Sequence, residues 1–227
     1  MRFLLIHSPL VQKETWSALV LSLQAAGFEA TVVSLDNRTA PGEKFFEHHV
    51  SQIHSASSDL NGRRVVAVAH SGAGNLLALL DPSQIEAYVF LDAIFPLNET
   101  SRFDVFDDPA AVRSWKEVAN EHGGVIPRAL LVRFGEQISD DGARGAFVAG
   151  IVDVPIELYE EPIPVHSKWP PSKPGLFVQW TESYAADAIR AEKAGFEVRR
   201  DSASHFKMLN QPDEVARELA DFARAIE

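Results

Sequence analysis

Apolar residues along this chain fall into short unbroken runs, and between the runs they recur every three or four positions. Residues 3–6, 30–35, 65–69, 88–91, 176–180 and 196–198 are rich in apolar and β-branched side chains, which predicts strands buried on both faces. Trp16, Leu19, Val20 and Leu23 keep helical spacing ahead of Gly27, a residue suited to a helix C-cap. Phe46, Val50 and Ile53 repeat that spacing within 41–57, and further helices are expected over 72–80 and over 185–194, closing at Gly195. A last helix carries Pro212, Asp213 and Glu214 in its first turn and the stripe Val215, Leu219, Phe222 and Ile226. Strands alternate with helices. The pattern predicts an α/β fold: a doubly wound, mostly parallel six-stranded sheet with helices on both faces.

One region breaks the alternation. Residues 97–173 contain helical patches but no clean strand, and they end in the Pro-rich stretch EEPIPVHSKWPPSKPG. This segment is expected to be a helical cap inserted over the C-terminal edge of the sheet, where open α/β sheets place their sites. The core is then formed by residues 1–96 and 174–227. Phe103, Phe106, Trp115, Leu130, Leu131, Phe134, Phe147 and Trp169 are candidates for an apolar pocket beneath the cap, or for the cap's own core.

Composition narrows the partners. The 227 residues suffice for one sizeable core, and 46% hydrophobic with 23% charged residues is an ordinary globular balance. A formal net charge of −11 argues against nucleic acid and anionic membranes, both of which need a basic face. There is no cysteine, which removes disulfides, thiolate zinc sites and thiol nucleophiles. Five apolar residues ahead of His7 are too few for a secretory leader, and no window approaches a membrane span, so a cytoplasmic protein is expected. Oligomeric state is open, a homodimer included.

The run VVAVAHSGAGNLLALL places Ser71 where a strand turns sharply into the next element. A nucleophilic serine needs an exposed Oγ, a nearby base and N–H donors aimed at the developing oxyanion, and such a turn supplies the first and last together. The turn demands small neighbours, here Ala69, Gly72 and Ala73. A phosphate-binding glycine turn is the competing reading, but GAG lacks the full dinucleotide fingerprint. His70 is expected to pack beside the turn. His205, between the last strand and the last helix, is placed to face the serine as a base.

Together, IHSPL after the first strand, AHSGAG at the turn, LDAIFP after the fourth strand and SHFKMLNQPDEVA near the end resemble the α/β-hydrolase family. The likeness spans nearly the whole chain, in the short subgroup that opens directly on its first core strand. It implies Ser71 as nucleophile and His205 as general base. For the triad acid it leaves two candidates. The usual position follows the strand before His205, where Glu182 is the acid at hand without the usual Gly-x-x-Asp turn. Asp92 matches members whose acid follows the preceding strand and is the preferred candidate, because a carboxylate ending an apolar run needs hydrogen bonds to be tolerated. The resemblance also implies an oxyanion hole from Gly72 and the loop after the first strand. There Ser8 replaces the usual glycine and Pro9 falls where the N–H is expected, so either Leu10 N–H or Ser8 Oγ substitutes, or the reaction is not ordinary ester hydrolysis.

The leading expectation is a serine hydrolase acting on an ester, thioester or lactone of a small apolar molecule through an acyl-enzyme, with no cofactor. A non-hydrolytic lyase or cyclase using the same serine and histidine is the alternative, as is a ligand-binding protein that retains the triad. A metal site from His48, His49 and His54 is discounted, because neighbouring histidines on one helix point in different directions.

Overall fold

The computed structural model describes residues 1–60, 64–106, 108–165 and 169–227, so His166, Ser167 and Lys168 of the Pro-rich stretch lie outside the described residues. In chain order the strands are β1 (Arg2–Ile6), β2 (Glu29–Val33), β3 (Val65–Ser71), β4 (Ile85–Ala93), β5 (Val125–Ile126), β6 (Val154–Pro155), β7 (Gly175–Gln179) and β8 (Glu197–Arg200). The helices are α1 (Ser17–Ala25), α2 (Phe45–Ser57), α3 (Pro109–Glu121), α4 (Arg128–Leu131), α5 (Asp141–Gly150), α6 (Glu157–Glu160), α7 (Ala185–Lys193), α8 (Lys207–Asn210) and α9 (Pro212–Ala225).

Six strands form the sheet β2-β1-β3-β4-β7-β8, and every pairing in it is parallel. The apolar runs explain why. Phe3 and Leu5, Val66 and Val68, and Val89 and Leu91 enter one core with α1 and α9, while Leu4 and Ile6, Val65 and Ala67, and Tyr88 and Phe90 enter the other with Ile53 of α2 and Ala188 of α7. A strand alternates its side chains, so a run apolar at every position is the signature of a sheet covered twice. The chain leaves β1 outward to β2 and returns past it to β3. The C-terminal ends of β1 and β3 are therefore the switch point, the crevice in which open α/β sheets bind ligands. Ser71 and the 7–10 loop meet there.

Two expectations change. The stretch after Ser71 is no α-helix but a 3₁₀ helix, Gly74–Leu79. Gly72 and Gly74 are poor helix formers, and Pro82 drives Asp81 out of helical conformation, leaving too few residues for a stable α-helix. The segment between β4 and β7 does contain strands: Val125–Ile126 pairs antiparallel with Val154–Pro155, two residues each and too short to leave a periodic signal. Among the described residues, the core of that segment is continuous with the core of the sheet. Phe103, Ala119, Ile126, Leu131, Phe147 and Leu158 join the same apolar cluster as Phe3 and Val66.

Gly74 is the tightest point of the elbow. A Cβ there would stand 1.9 Å from the Ile94 carbonyl oxygen at the end of β4, and a backbone oxygen cannot yield as a side chain would. Gly74→Ala is expected to cost about 2–3 kcal/mol, read as a lower midpoint in urea unfolding. Ala73→Gly, which adds no atom, should stay within about 1 kcal/mol of wild type.

Candidate active site

Ser71 closes β3 with φ +56°, the left-handed conformation a side chain rarely adopts, and Asp92 at the end of β4 has φ +44°. Both sit on ends of adjacent central strands, where the sheet imposes a conformation that each residue would avoid alone. The strain turns Ser71 Oγ out of the sheet and into a cavity of about 340 Å³, whose wall includes Ser8, Leu10, Gly72, Tyr159, Tyr184, His205 and Phe206.

Asp92 is fully buried, yet all its acceptor capacity is used. Oδ1 accepts the Trp180 and Thr181 backbone N–H groups, each at 2.9 Å, and Oδ2 accepts Thr181 Oγ1–H at 2.8 Å. The fourth bond is to His205 Nδ1 at 2.7 Å. With Nδ1–H donating to the carboxylate, Nε2 is left as the basic nitrogen. Glu182, the other sequence candidate, is exposed at the start of the 3₁₀ turn Glu182–Tyr184. The structure brings Asp92 to His205, not Glu182.

His70 lies under this pair. Its Nε2–H donates to the His205 carbonyl at 2.9 Å, and the two rings are 4.4 Å apart. Burial and the neighbouring His205 hold it neutral, well below the ordinary histidine range. It packs against Trp16, Trp180 and Phe206, so it props the loop that carries His205.

The loop after β1 is built around its proline. His7 Nδ1–H donates to Ser8 C=O at 2.8 Å and Nε2 accepts Leu35 N–H at 2.9 Å, a pattern only the neutral ring satisfies; burial lowers its pKa to about 4. Asn37 Nδ2–H donates to Pro9 C=O at 2.8 Å, and His49 Nε2 meets Asn37 Oδ1 at 3.0 Å. Leu10 N–H points at Ser8 Oγ, 3.4 Å away, a long bond within this loop. Ser8, Leu10 and Gly72 all line the cavity, and Pro9 has no N–H to donate. The helical histidines diverge: His49 faces Asn37, and His48 faces Glu43 and Gln52. No group of three metal-ligating side chains occurs among the described residues.

Behind Gly72 lies a buried cation. Arg102 Nε–H donates to Gly72 C=O at 3.0 Å and an Nη1–H to Leu158 C=O at 2.8 Å, so this side chain ties the elbow to the segment above it.

Of the eight aromatic and aliphatic candidates, Phe106, Trp115 and Phe134 line the cavity. Phe103, Leu131 and Phe147 are core, and Leu130 packs against that core. Trp169 is elsewhere, against Tyr88, Phe90 and Phe95. Sequence reasoning missed two tyrosines of the wall, Tyr159 and Tyr184. Tyr184 Oη is 3.0 Å from Ser71 Oγ, and its ring lies parallel to the His205 imidazole, 7° apart in plane at 5.4 Å. A lone tyrosine in TESYAADAI carries no spacing that would mark it.

An elbow serine, a histidine held by a buried aspartate and a switch-point cavity describe a hydrolase-type centre on a parallel sheet. The model of the alpha/beta hydrolase family matches residues 3–218, and the chain belongs to that family. No curated protein sequence matches it. Among solved structures, an extracellular alpha/beta-hydrolase from a Paenibacillus species superposes with a TM-score of 0.81 at 17% identity, over 97% of this chain and 98% of the other. A pyrethroid hydrolase from Sphingobium faniae JZ-2 gives 0.73 at 19% identity, over 99% and 98%. Tomato methylketone synthase I complexed with 2-tridecanone gives 0.71 at 17% identity, over 100% and 98%. At these identities the likeness is one of fold.

Proposed function

We propose that the protein is a serine hydrolase that cleaves esters, thioesters or lactones of small, largely apolar molecules. The observation that carries this is the Asp92–His205 bond of 2.7 Å beside the strained Ser71 at the sheet's switch point. Ser71 Oγ attacks the carbonyl carbon while its proton passes to His205 Nε2, and Asp92 stabilises the imidazolium. The tetrahedral adduct collapses to an acyl-serine as His205 returns the proton to the leaving oxygen or sulfur. Water, deprotonated by His205, then attacks the acyl-serine and releases the acid and free Ser71. No step calls for a cofactor.

The cavity is at the small end of ligand sites, and Phe106, Trp115, Phe134 and Phe206 give it an apolar wall. The test is a panel of p-nitrophenyl esters, thioesters and lactones with acyl chains of two to ten carbons. Short to medium acyl groups should be hydrolysed and long ones refused, with Ser71→Ala losing at least about 1,000-fold in kcat. Turnover that survives in Ser71→Ala would sink the reading.

A second reading is favoured by one feature, the Ser71 hydroxyl turned to Tyr184 above a loop with a proline at the expected donor position. In it the same centre relays protons in a lyase; a variant of the tomato methylketone synthase I of similar fold is complexed with β-ketoheptanoate, which makes β-keto acids the substrates to try. Consumption of β-ketoheptanoate with no hydrolysis across the ester panel would select it.

A further inference from the structure

Among the described residues, the hydrogen-bond partner of Ser71 Oγ is a phenol. Tyr184 Oη lies 3.0 Å away. Three features fix that phenol. Tyr184 ends the 3₁₀ turn Glu182–Tyr184, whose first backbone bond is Tyr184 N–H to Thr181 C=O at 3.3 Å. Thr181 is itself fastened to Asp92 through both its N–H and its hydroxyl. The Tyr184 ring then stacks on His205, the residue that Asp92 also holds. One buried carboxylate thus positions the base and the phenol together.

The oxyanion hole has a matching deficit. Pro9 has no N–H, and the next donor along, Leu10 N–H, is directed at Ser8 Oγ. Gly72 N–H remains as the donor that follows the nucleophile.

We propose that Tyr184 is a further catalytic residue: its O–H donates to Ser71 Oγ in the free enzyme and to the substrate's carbonyl oxygen in the tetrahedral adduct, in place of the N–H that Pro9 lacks. The two acceptors become bonded to one carbon during attack, so a donor within reach of the first is within reach of the second after a small rotation of the phenol. The proton stays on Tyr184 throughout, since burial raises the phenol's pKa far above its usual value; Ser71's own proton goes to His205. The assignment rests on the serine hydrolase reading.

The test needs no natural substrate. A fluorophosphonate and a p-nitrophenyl phosphonate both phosphonylate an activated serine, and the phosphoryl oxygen takes the oxyanion donors. Second-order labelling rates by intact mass would be compared in wild type, Tyr184→Phe and Ser71→Ala. Phe keeps the stack on His205 and removes only the hydroxyl, and a thermal unfolding midpoint within about 2 °C of wild type would show the fold intact. Tyr184→Phe is expected to be labelled at Ser71 about 100- to 1,000-fold more slowly with both reagents alike. A loss below threefold would overturn the proposal. A loss confined to the p-nitrophenyl reagent would also overturn it, since the hydroxyl would then be serving the leaving group. If wild type itself takes no label, or Ser71→Ala takes as much, the hydrolase reading fails and the proposal with it.

Discussion

Asp92→Asn is expected to lower kcat about 10³- to 10⁴-fold while leaving KM within threefold. Asparagine tolerates the left-handed backbone that Asp92 adopts at φ +44°, so the substitution changes chemistry more than conformation. It changes the chemistry twice. An amide has one acceptor oxygen where four donors converge, from Trp180 N–H, Thr181 N–H, Thr181 Oγ1–H and His205 Nδ1–H. It also presents an N–H₂ that His205 can satisfy only by accepting at Nδ1, which moves the ring proton to Nε2 and removes the basic nitrogen that the proposed mechanism uses. Asp92→Ala should lose the same activity and in addition about 3 kcal/mol of stability, because it takes the acceptor from the buried Trp180 N–H and the part-buried Thr181 N–H. Glu182→Gln, at an exposed position, should stay within twofold of wild type. Steady-state kinetics on any ester that the wild type hydrolyses would check all three; an Asp92→Asn variant with a tenth of wild-type kcat would remove Asp92 from the triad.

Acid should destabilise the fold well above the range where carboxylates titrate. His7, His49 and His70 are fully buried. Burial is the main cause in each, lowering His7 to about 4, His49 to about 3 and His70 well below its ordinary value. Between pH 4 and 6.5 the unfolded chain therefore binds protons at these three sites that the folded chain refuses, so stability rises with pH across this window and is lost as pH falls from 6.5. Each site contributes about 1.3 kcal/mol between pH 7.5 and 5.5, about 4 kcal/mol together. Lowered carboxylates such as Asp36, Glu43 and Asp201 add the same sign of dependence only at lower pH, since their unfolded values lie near 4. Urea unfolding at pH 7.5, 6.5 and 5.5 would measure the slope. His49→Gln keeps a donor for Asn37 and cannot titrate, so it should flatten the slope by about a third; an unchanged slope would mean that the buried histidines do not set it.

Local pattern made the sheet readable. The central strands β1, β3, β4 and β7 carry apolar runs without polar interruption, at 3–6, 65–69, 87–91 and 176–178, while the edge strands β2 and β8 mix in Glu29, Thr31, Glu197, Arg199 and Arg200. The caps at Gly27, Gly195 and Pro212 are sequence-local. Where a helix end depends on a distant residue the sequence is silent: α2 begins at Phe45 because Glu161, over a hundred positions on, accepts Phe45 N–H and Phe46 N–H at 2.9 Å. The elbow was legible because Ser71 and its small neighbours are contiguous, whereas the steric constraint on Gly74 comes from Ile94, just past the end of β4. Asp92 and Glu182 could not be separated from spacing alone, since each ends a segment bound for the same sheet edge and only the tertiary fold brings one carboxylate to His205. Tyr184 had no signal, because its role arises from the loop that Asp92 fastens.

The most direct measurement is peptide mapping after treatment with a fluorophosphonate, with Ser71→Ala and His205→Ala treated in parallel. A single adduct on the Ser71 peptide, absent from Ser71→Ala and slowed at least a thousandfold in His205→Ala, is the predicted result. An adduct on any other residue, or none on folded wild-type protein, would contradict the assignment of Ser71 as an activated nucleophile.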